Sequence, residues 1–355
     1  TRETAVSGRR YKQISGTDEF YECNFSDDMP ELNFDNENVR REVLDIAKHY
    51  LEIGIDGFRF DAVKYIYLND TADSVDFWNW YCGELRAINP DVYLVGECWS
   101  SDNEILQYAA ALNCFAFGSS QAEGSIAATA KGGNIATFTS YVTRMQASLA
   151  AADPEAMYIP FISNHDMDRS AGYLMMANHW PYMAANLYLL CCGSPVIYYG
   201  EEIGMKGTRG AANTDANRRL AMLWGDSDTI KDPEGSTYDI SKQTNGTVAS
   251  QQKDTGSLYS YYCRLIALRN KYPAIARGKY QAVVTSYKYL GGFVIEYNGD
   301  TIYLIHNTSA SQQTLDLTSL SNVNASEILD YIGQGDASLK DGVLTIGGQT
   351  SVIMH

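Results

Sequence analysis

A chain of 355 residues has room for about two domains with a sizeable core. Its net charge of −16 and pI near 4.7 disfavour nucleic acid and anionic membranes, both of which would repel it, but not a neutral polysaccharide. No apolar stretch reaches the ~18 residues of a membrane span, which argues against membrane insertion. The 7 cysteines show neither a CxxC pair nor zinc spacing and read as small buried hydrophobes.

Residues 1–34 lack sustained periodicity and are polar and Gly-rich, as the tail of an inserted loop region would be. From Asn36 the spacing of Val39, Val43, Ile46, Ala47, Tyr50 and Leu51 predicts a helix closed by Gly54. A strand follows at Ile55 to Phe60. Val75, Trp78, Cys82, Leu85 and Ile88 then repeat at helical spacing until Asn89-Pro90 stops the run and a strand begins at Val92. Asn113 to Phe117 reads as a short strand, 134–150 as a helix and 157–163 as a strand. A helix from Tyr182 to Cys191 precedes a strand from Pro195 to Tyr199. Residues 226–255 read as a long loop, and a helix from Ser257 to Lys271 is ended by Pro273. Beyond Lys279 short alternating runs separated by Gly, Asn and Asp predict an antiparallel β-sandwich.

Strands alternating with helices describe a parallel α/β layout, and three acids stand where such strands leave the core: Asp61, Glu97 and Asp166. Cleaving an acetal requires a proton for the leaving oxygen and a carboxylate to meet the oxocarbenium ion, so two carboxyl groups are the minimum equipment. Arg59, two residues before Asp61 on the same side of the strand, is expected to keep that aspartate ionised, as a nucleophile requires. Glu97, flanked by Val95, Gly96, Cys98 and Trp99, is expected in an apolar setting that favours the protonated form of a general acid. His165 and Asp166 together can hydrogen-bond vicinal sugar hydroxyls. Taken singly, an Asp after a strand is more often a helix cap and a lone Glu more often a solvated rim residue. Recurrence at whole β-α-β intervals argues against both.

At these residues the chain resembles the α-amylase family of glycoside hydrolases. Gly57-Phe58-Arg59-Phe60-Asp61-Ala62-Val63-Lys64 resembles its nucleophile strand, Gly96-Glu97 its acid/base strand, and Phe161-Ile162-Ser163-Asn164-His165-Asp166 the strand with its transition-state stabiliser. Met29-Pro30-Glu31-Leu32-Asn33 is similar to the motif closing the family's B domain, in the form found between α-amylases and oligo-1,6-glucosidases. Gly193 to Glu201 resembles its eighth strand, and Arg219 to Trp224 a stretch just beyond. Two departures stand out: Tyr65 occupies a position where many members have histidine, and the family's first motif, Asp-x-Val-x-Asn-His, does not occur.

The resemblance implies a (β/α)8 TIM barrel, of which this chain carries strands four to eight, followed by an antiparallel β-sandwich C-terminal domain. The expected domains are 1–34, the end of the inserted B domain; 35–277, the barrel; and 278–355, the C-terminal domain. The implied activity is retaining endo-hydrolysis of α-1,4-glucosidic bonds in starch and maltodextrins, with α-glucan as partner. Asp61 is then the nucleophile, Glu97 the acid/base and Asp166 the stabiliser, with Arg59, Lys64 and His165 binding substrate. An oligo-1,6-glucosidase, neopullulanase or 4-α-glucanotransferase is the alternative within the family, and a non-catalytic carbohydrate-binding protein the alternative outside it. Calcium is expected from the resemblance alone, and no ligand is named for it because the family's site draws partly on an asparagine of the first motif; Asp27 and Asp28, near that region, read as solvated loop acids. An extracellular or cell-surface location is expected, as is an upstream segment, in the same or a second chain, supplying the first three strands.

Overall fold

The computed structural model describes residues 5–210, 215–228 and 231–355. The start of the predicted insertion tail and part of the loop predicted over 226–255 therefore lie outside the described residues. The chain forms two compact units, one running to Phe115 and including Leu149–Ala156, the other comprising Ala116–Ser148 and Met157–His355.

In the first unit a hairpin of β1 (Tyr11–Gln13) and β2 (Phe20–Glu22) precedes helix α1 (Glu37–Glu52). Asn36 caps α1 by accepting from the Asn38 N–H, and Gly54, at φ 98°, releases the chain at its far end. Strands β3 (Gly57–Phe60), β4 (Tyr93–Gly96) and β5 (Asn113–Cys114) make a parallel sheet in the order β3-β4-β5. Gly57 is required at the start of β3 because a Cβ there would lie 2.0 Å from the Tyr93 carbonyl oxygen. Helix α2 (Thr71–Ile88) joins β3 to β4 and buries Phe77, Trp78, Tyr81 and Leu85. The Phe60 ring lies 4.8 Å from Trp78, seating α2 on the sheet. The predicted apolar face of α1 is only partly covered: Ala47 is buried, whereas Ile46 and Tyr50 are about half exposed. In this unit α1 packs chiefly on α2, through contacts such as Tyr81 Oη to the Val43 carbonyl at 2.9 Å.

In the second unit the segment predicted as a strand over 157–163 runs extended. The Tyr158 and Pro160 carbonyls accept from the Ser194 and Val196 N–H groups, each at 2.9 Å, and the Ile159 carbonyl accepts from Ala116. This alternate-residue pattern is that of parallel strands. Neither 157–163 nor 195–199 forms a regular strand, because Pro160 and Pro195 have no N–H to give a ladder. The main chains approach closely at Gly193, where φ is 77° and a Cβ would lie 1.8 Å from the Tyr158 oxygen. Helix α3 (Asp102–Ile105) belongs to the first unit, and α4 (Ser125–Ala130) to the second. Helix α5 (Ile135–Ala152) lies where a helix was predicted over 134–150.

After a single turn α6 (Ser170–Tyr173), helix α7 (Trp180–Leu189) is buried from Pro181 onward and ends two residues before the predicted Cys191. Arg269 receives that end, donating to the carbonyls of Leu189, Cys191 and Gly193. The predicted loop is not wholly irregular, since turn α8 (Val248–Gln251) is closed by a capping box of Thr247 and Ser250. Helix α9 (Leu258–Lys271) follows, capped by Ser257. The helix ends at Lys271, as expected from Pro273, and Pro273 itself opens α10 (Pro273–Arg277), where its missing N–H has no partner to lose.

The C-terminal strands are β6 (Lys279–Ala282), β7 (Leu290–Tyr297), β8 (Asp300–Asn307), β9 (Gln313–Asp316), β10 (Ile328–Gly333), β11 (Ala337–Lys340), β12 (Val343–Ile346) and β13 (Thr350–Met354). They form an antiparallel five-stranded sheet, β10-β13-β8-β7-β6, and an antiparallel three-stranded sheet, β11-β12-β9. Leu290, Ile305, Leu315, Leu344 and Val352 pack in one core drawn from both sheets. No described helix is long and apolar enough to cross a membrane.

Candidate active site

Asp61 is the first residue beyond β3 and Glu97 the first beyond β4. The parallel ladder continues past both strand ends, with Glu97 N donating to the Phe60 carbonyl and Val63 N donating to the Glu97 carbonyl, each at 2.9 Å. Ala62 takes a left-handed conformation (φ 47°, ψ 46°) that turns the chain into a short 3-10 helix, Val63–Tyr65. Trp78 Nε1 donates to the Val63 carbonyl at 2.8 Å, so the aromatic face of α2 also anchors this turn.

Arg59 joins the two acids. Its Nη1 donates to Asp61 Oδ1 at 2.5 Å and its Nη2 to Glu97 Oε2. The carboxylates differ sharply in access: the Asp61 side chain is 77% exposed and that of Glu97 10%. The neighbour expected for Asp61 is present, but the surroundings of Glu97 differ from the expectation, because the same cation that faces Asp61 also faces Glu97. A contact from one strand to the next is invisible in a list of sequence neighbours. Lys64 Nζ donates to the Trp99 carbonyl at 2.8 Å, and Lys64 borders an open groove of about 410 Å³ with Leu68, Asn69, Asn103 and Gln107. Tyr65 packs on Phe25, their ring centroids 4.3 Å apart.

In the second unit His165 Nε2 lies 3.1 Å from Asp166 Oδ2. Arg219 spans the same pair, its Nη2 donating to Asp166 Oδ1 at 2.5 Å and its Nε to the His165 carbonyl at 3.1 Å. Arg218 adds a bond to the Asp166 carbonyl at 2.7 Å and pairs with Asp168 and Asp215. Four residues were not singled out as functional from sequence: Arg218, Arg219, Arg169 and Glu201. Arg169 is fully buried. Its guanidinium lies 4.6 Å from the ring centroids of both Tyr198 and Tyr199, and its Nη1 donates to the Tyr199 carbonyl at 2.6 Å. Glu201 is 3% exposed, and burial pushes its carboxyl up to about 8 against the pull of Ser163, Tyr188 and the Arg169 charge. The available signal was charge inside an apolar run, at Glu201 after Val196-Ile197-Tyr198-Tyr199.

Calcium takes about six to eight oxygen ligands. Among the described residues no group of three or more His, Cys, Asp or Glu could hold a metal ion. Asp27 is engaged by Arg10 and Lys12, and Asp28 by Ser26.

Paired carboxylates at adjacent exits of a parallel sheet are the equipment of a glycoside hydrolase. The family described as "Alpha amylase, catalytic domain" matches residues 4–278, and the chain belongs to this α-amylase family. It is 31% identical over 349 residues to α-amylase 3 of Dictyoglomus thermophilum, covering 97% of this chain and 66% of that protein. It is 30% identical over 330 residues to the α-amylase SusG of Bacteroides thetaiotaomicron, covering 88% of this chain and 46% of that protein. The solved structure of Eubacterium rectale Amy13B superposes with a TM-score of 0.89 at 31% identity, covering 97% of this chain and 68% of that one. The chain thus spans about two thirds or less of the length of these curated relatives. More distant relatives carry the names 4-alpha-glucanotransferase and oligo-1,6-glucosidase. The family's catalytic domain implies a (β/α)8 barrel with a C-terminal β domain.

Proposed function

We propose that this chain is the catalytic and C-terminal part of a retaining α-glucan hydrolase that cleaves internal α-1,4 bonds of starch and maltodextrins. The observation that carries the reading is the Arg59 bridge between an exposed and a buried carboxylate at adjacent strand exits. Asp61 attacks the anomeric carbon while Glu97 protonates the departing glycosidic oxygen, leaving a glycosyl ester on Asp61. Water then attacks the same carbon, gives its proton to Glu97 and frees Asp61. The Arg59–Glu97 contact belongs to the free enzyme, and Glu97 exchanges it for the glycosidic oxygen when substrate binds.

Asp166 and His165 hold the sugar hydroxyls as the ring distorts, with Arg219 fixing both. Lys64 contacts a sugar on the leaving-group side, consistent with its place on the rim of a groove. We assign residues 1–34, 35–277 and 278–355 to the end of the B domain, the barrel from strand four onward, and the C-terminal domain. An extracellular or cell-surface location and a bound calcium ion stay within the same proposal, the latter with ligands outside the described acids.

Chain-length analysis of products from soluble starch, with pullulan as second substrate, tests the reading. Internal cleavage of starch with little release from pullulan is the expected result. Pullulan cleavage, or longer products built by transfer, would instead favour the oligo-1,6-glucosidase, neopullulanase or glucanotransferase alternatives suggested by Met29 to Asn33. Oligosaccharide binding without any cleavage would favour a carbohydrate-binding protein.

A further inference from the structure

We propose that Glu201 is a positioning residue for the arm that carries His165 and Asp166, acting through Ser163; the proposal rests on the reading of those two residues as sugar-binding groups. Up to Ile162 the arm is held by main-chain bonds: Tyr158 and Pro160 to Ser194 and Val196, Ile159 to Ala116, and Ile162 to the Gln121 N–H at 2.9 Å. Beyond Ile162 side chains take over. Ser163, 1% exposed, donates from Oγ to Glu201 Oε1 at 2.5 Å. The next three residues make a turn in which Asn164 Oδ1 accepts from Asp166 N at 2.9 Å, and Arg218 and Arg219 grip its far end. The arm is therefore pinned at Ser163 by Glu201 and at Asp166 by the two arginines.

Glu201 is itself fixed from the opposite side. Its Oε2 accepts from Tyr188 Oη on α7 at 3.2 Å, and that hydroxyl lies 3.3 Å from Tyr262 Oη on α9. A chain of polar groups thus leads from buried tyrosines on two helices through one carboxyl to the residue two places before His165. A neutral carboxyl can donate one hydrogen bond and accept others, which suits a pocket of hydroxyls. An ionised one can only accept, inside a site that offers little solvation.

The proton on Glu201 therefore governs how the arm is held. Facing it are Tyr188, Tyr262 and Tyr173, whose hydroxyls burial keeps well above their ordinary range, the cation of Arg169, and on its own turn Tyr198 and Glu202. Burial pushes Glu201 up to about 8, so of these groups it is the one that loses its proton as solutions pass from neutral to mildly alkaline.

The test compares wild type, Glu201→Gln and Glu201→Ala in the full-length protein. On soluble starch, Glu201→Ala should lower kcat by about 10²-fold with a smaller change in KM, as expected for a misplaced contact. Glu201→Gln, whose amide oxygen can accept from Ser163 while its NH2 donates to the Tyr188 hydroxyl, carries no titrating proton and should work near the wild-type rate at neutral pH. Wild-type kcat should fall as pH rises through about 8, and Glu201→Gln should lack that limb.

The ring signals of His165, one of 5 histidines, give a reading that needs no catalysis. In wild type they should move as pH passes through about 8, and in Glu201→Gln that step should vanish. An alkaline step and limb that persist in Glu201→Gln belong to another group and overturn the proposal. If wild type binds but does not cleave starch, the functional reading fails, while the His165 signals still decide whether Glu201 positions the arm. If Glu201→Ala does not fold, the glutamine variant decides alone.

Discussion

Arg59 Nη1 lies 2.5 Å from Asp61 Oδ1, while Nη2 of the same guanidinium is hydrogen-bonded to Glu97. One planar fork thus sets the relative position of two carboxylates on neighbouring strands, which a lysine could not do with a single point charge. Arg59→Lys should lower kcat/KM by about 10²-fold through loss of that alignment. Arg59→Met should cost more, because it removes the cation facing the buried Glu97. Steady-state kinetics on maltoheptaose check this, and near-normal rates for Arg59→Met would mean that the bridge is irrelevant to turnover.

Removing either carboxyl should abolish chemistry but spare binding. Asp61→Asn and Glu97→Gln are each expected to lower kcat by about three to five orders of magnitude, since the loss falls on the transition state. Calorimetric affinity for maltoheptaose should change little. NMR of fresh wild-type products should show the substrate's anomer retained. The opposite anomer would exclude a glycosyl ester at Asp61.

The places of Asp61 and Glu97, one residue past β3 and β4, were legible because each closes a short apolar run that opens or ends on glycine. Their mutual setting was not. Arg59 reaches Glu97 across a sequence separation of 38 residues, and side-chain reach between neighbouring strands leaves no trace in local spacing. Ser163 and Glu201 are likewise 38 apart, and Arg219 and Asp166 53. The short runs after Lys279, separated by Gly, Asn and Asp, marked an antiparallel domain through their turns rather than through one-sided burial, since β7, β8 and β13 are buried at consecutive residues. The extended segments around Pro160 and Pro195 were legible as apolar runs, yet their prolines deny them regular ladders. Pro273 marked the end of α9 at Lys271, but a proline signals a helix boundary in either direction, and that it also opens α10 was not legible.

His165 and Asp166 share Arg219 as a support, so their variants should behave alike. His165→Ala should cost roughly 2 to 4 kcal/mol in kcat/KM with little change in Tm, because the His165 side chain is 40% exposed and makes no part of the core. Arg219→Ala should weaken kcat/KM by a similar factor, since it frees both the His165 carbonyl and Asp166 Oδ1 at once. Added to His165→Ala it should cost less than the sum of the two single changes, as expected for groups in one network. A large fall in Tm with near-normal kinetics in His165→Ala would instead make it a packing residue.

Two buried groups should tilt stability with pH in opposite senses, one at each end of the range. His306 on β8 is fully buried, with Nδ1 2.7 Å from Ser351 Oγ, and burial lowers its imidazole from about 6.5 to about 3. Between those values the unfolded chain binds a proton that the folded one refuses, so stability is lost as pH falls from about 6.5 towards 3, by at most about 1.4 kcal/mol per pH unit. Glu201 is shifted the other way, from about 4.5 to about 8. The folded state now binds the extra proton, so its contribution is fully present below about 4.5 and is lost as pH rises through about 8. Both slopes disfavour the buried charged form, one on the acid side and one on the alkaline side. Denaturant melts of wild type, His306→Gln and Glu201→Gln from pH 4 to 9 separate them. His306→Gln should flatten the acid slope alone and Glu201→Gln the alkaline slope alone, whereas unchanged slopes in both variants would assign the pH dependence to surface charge.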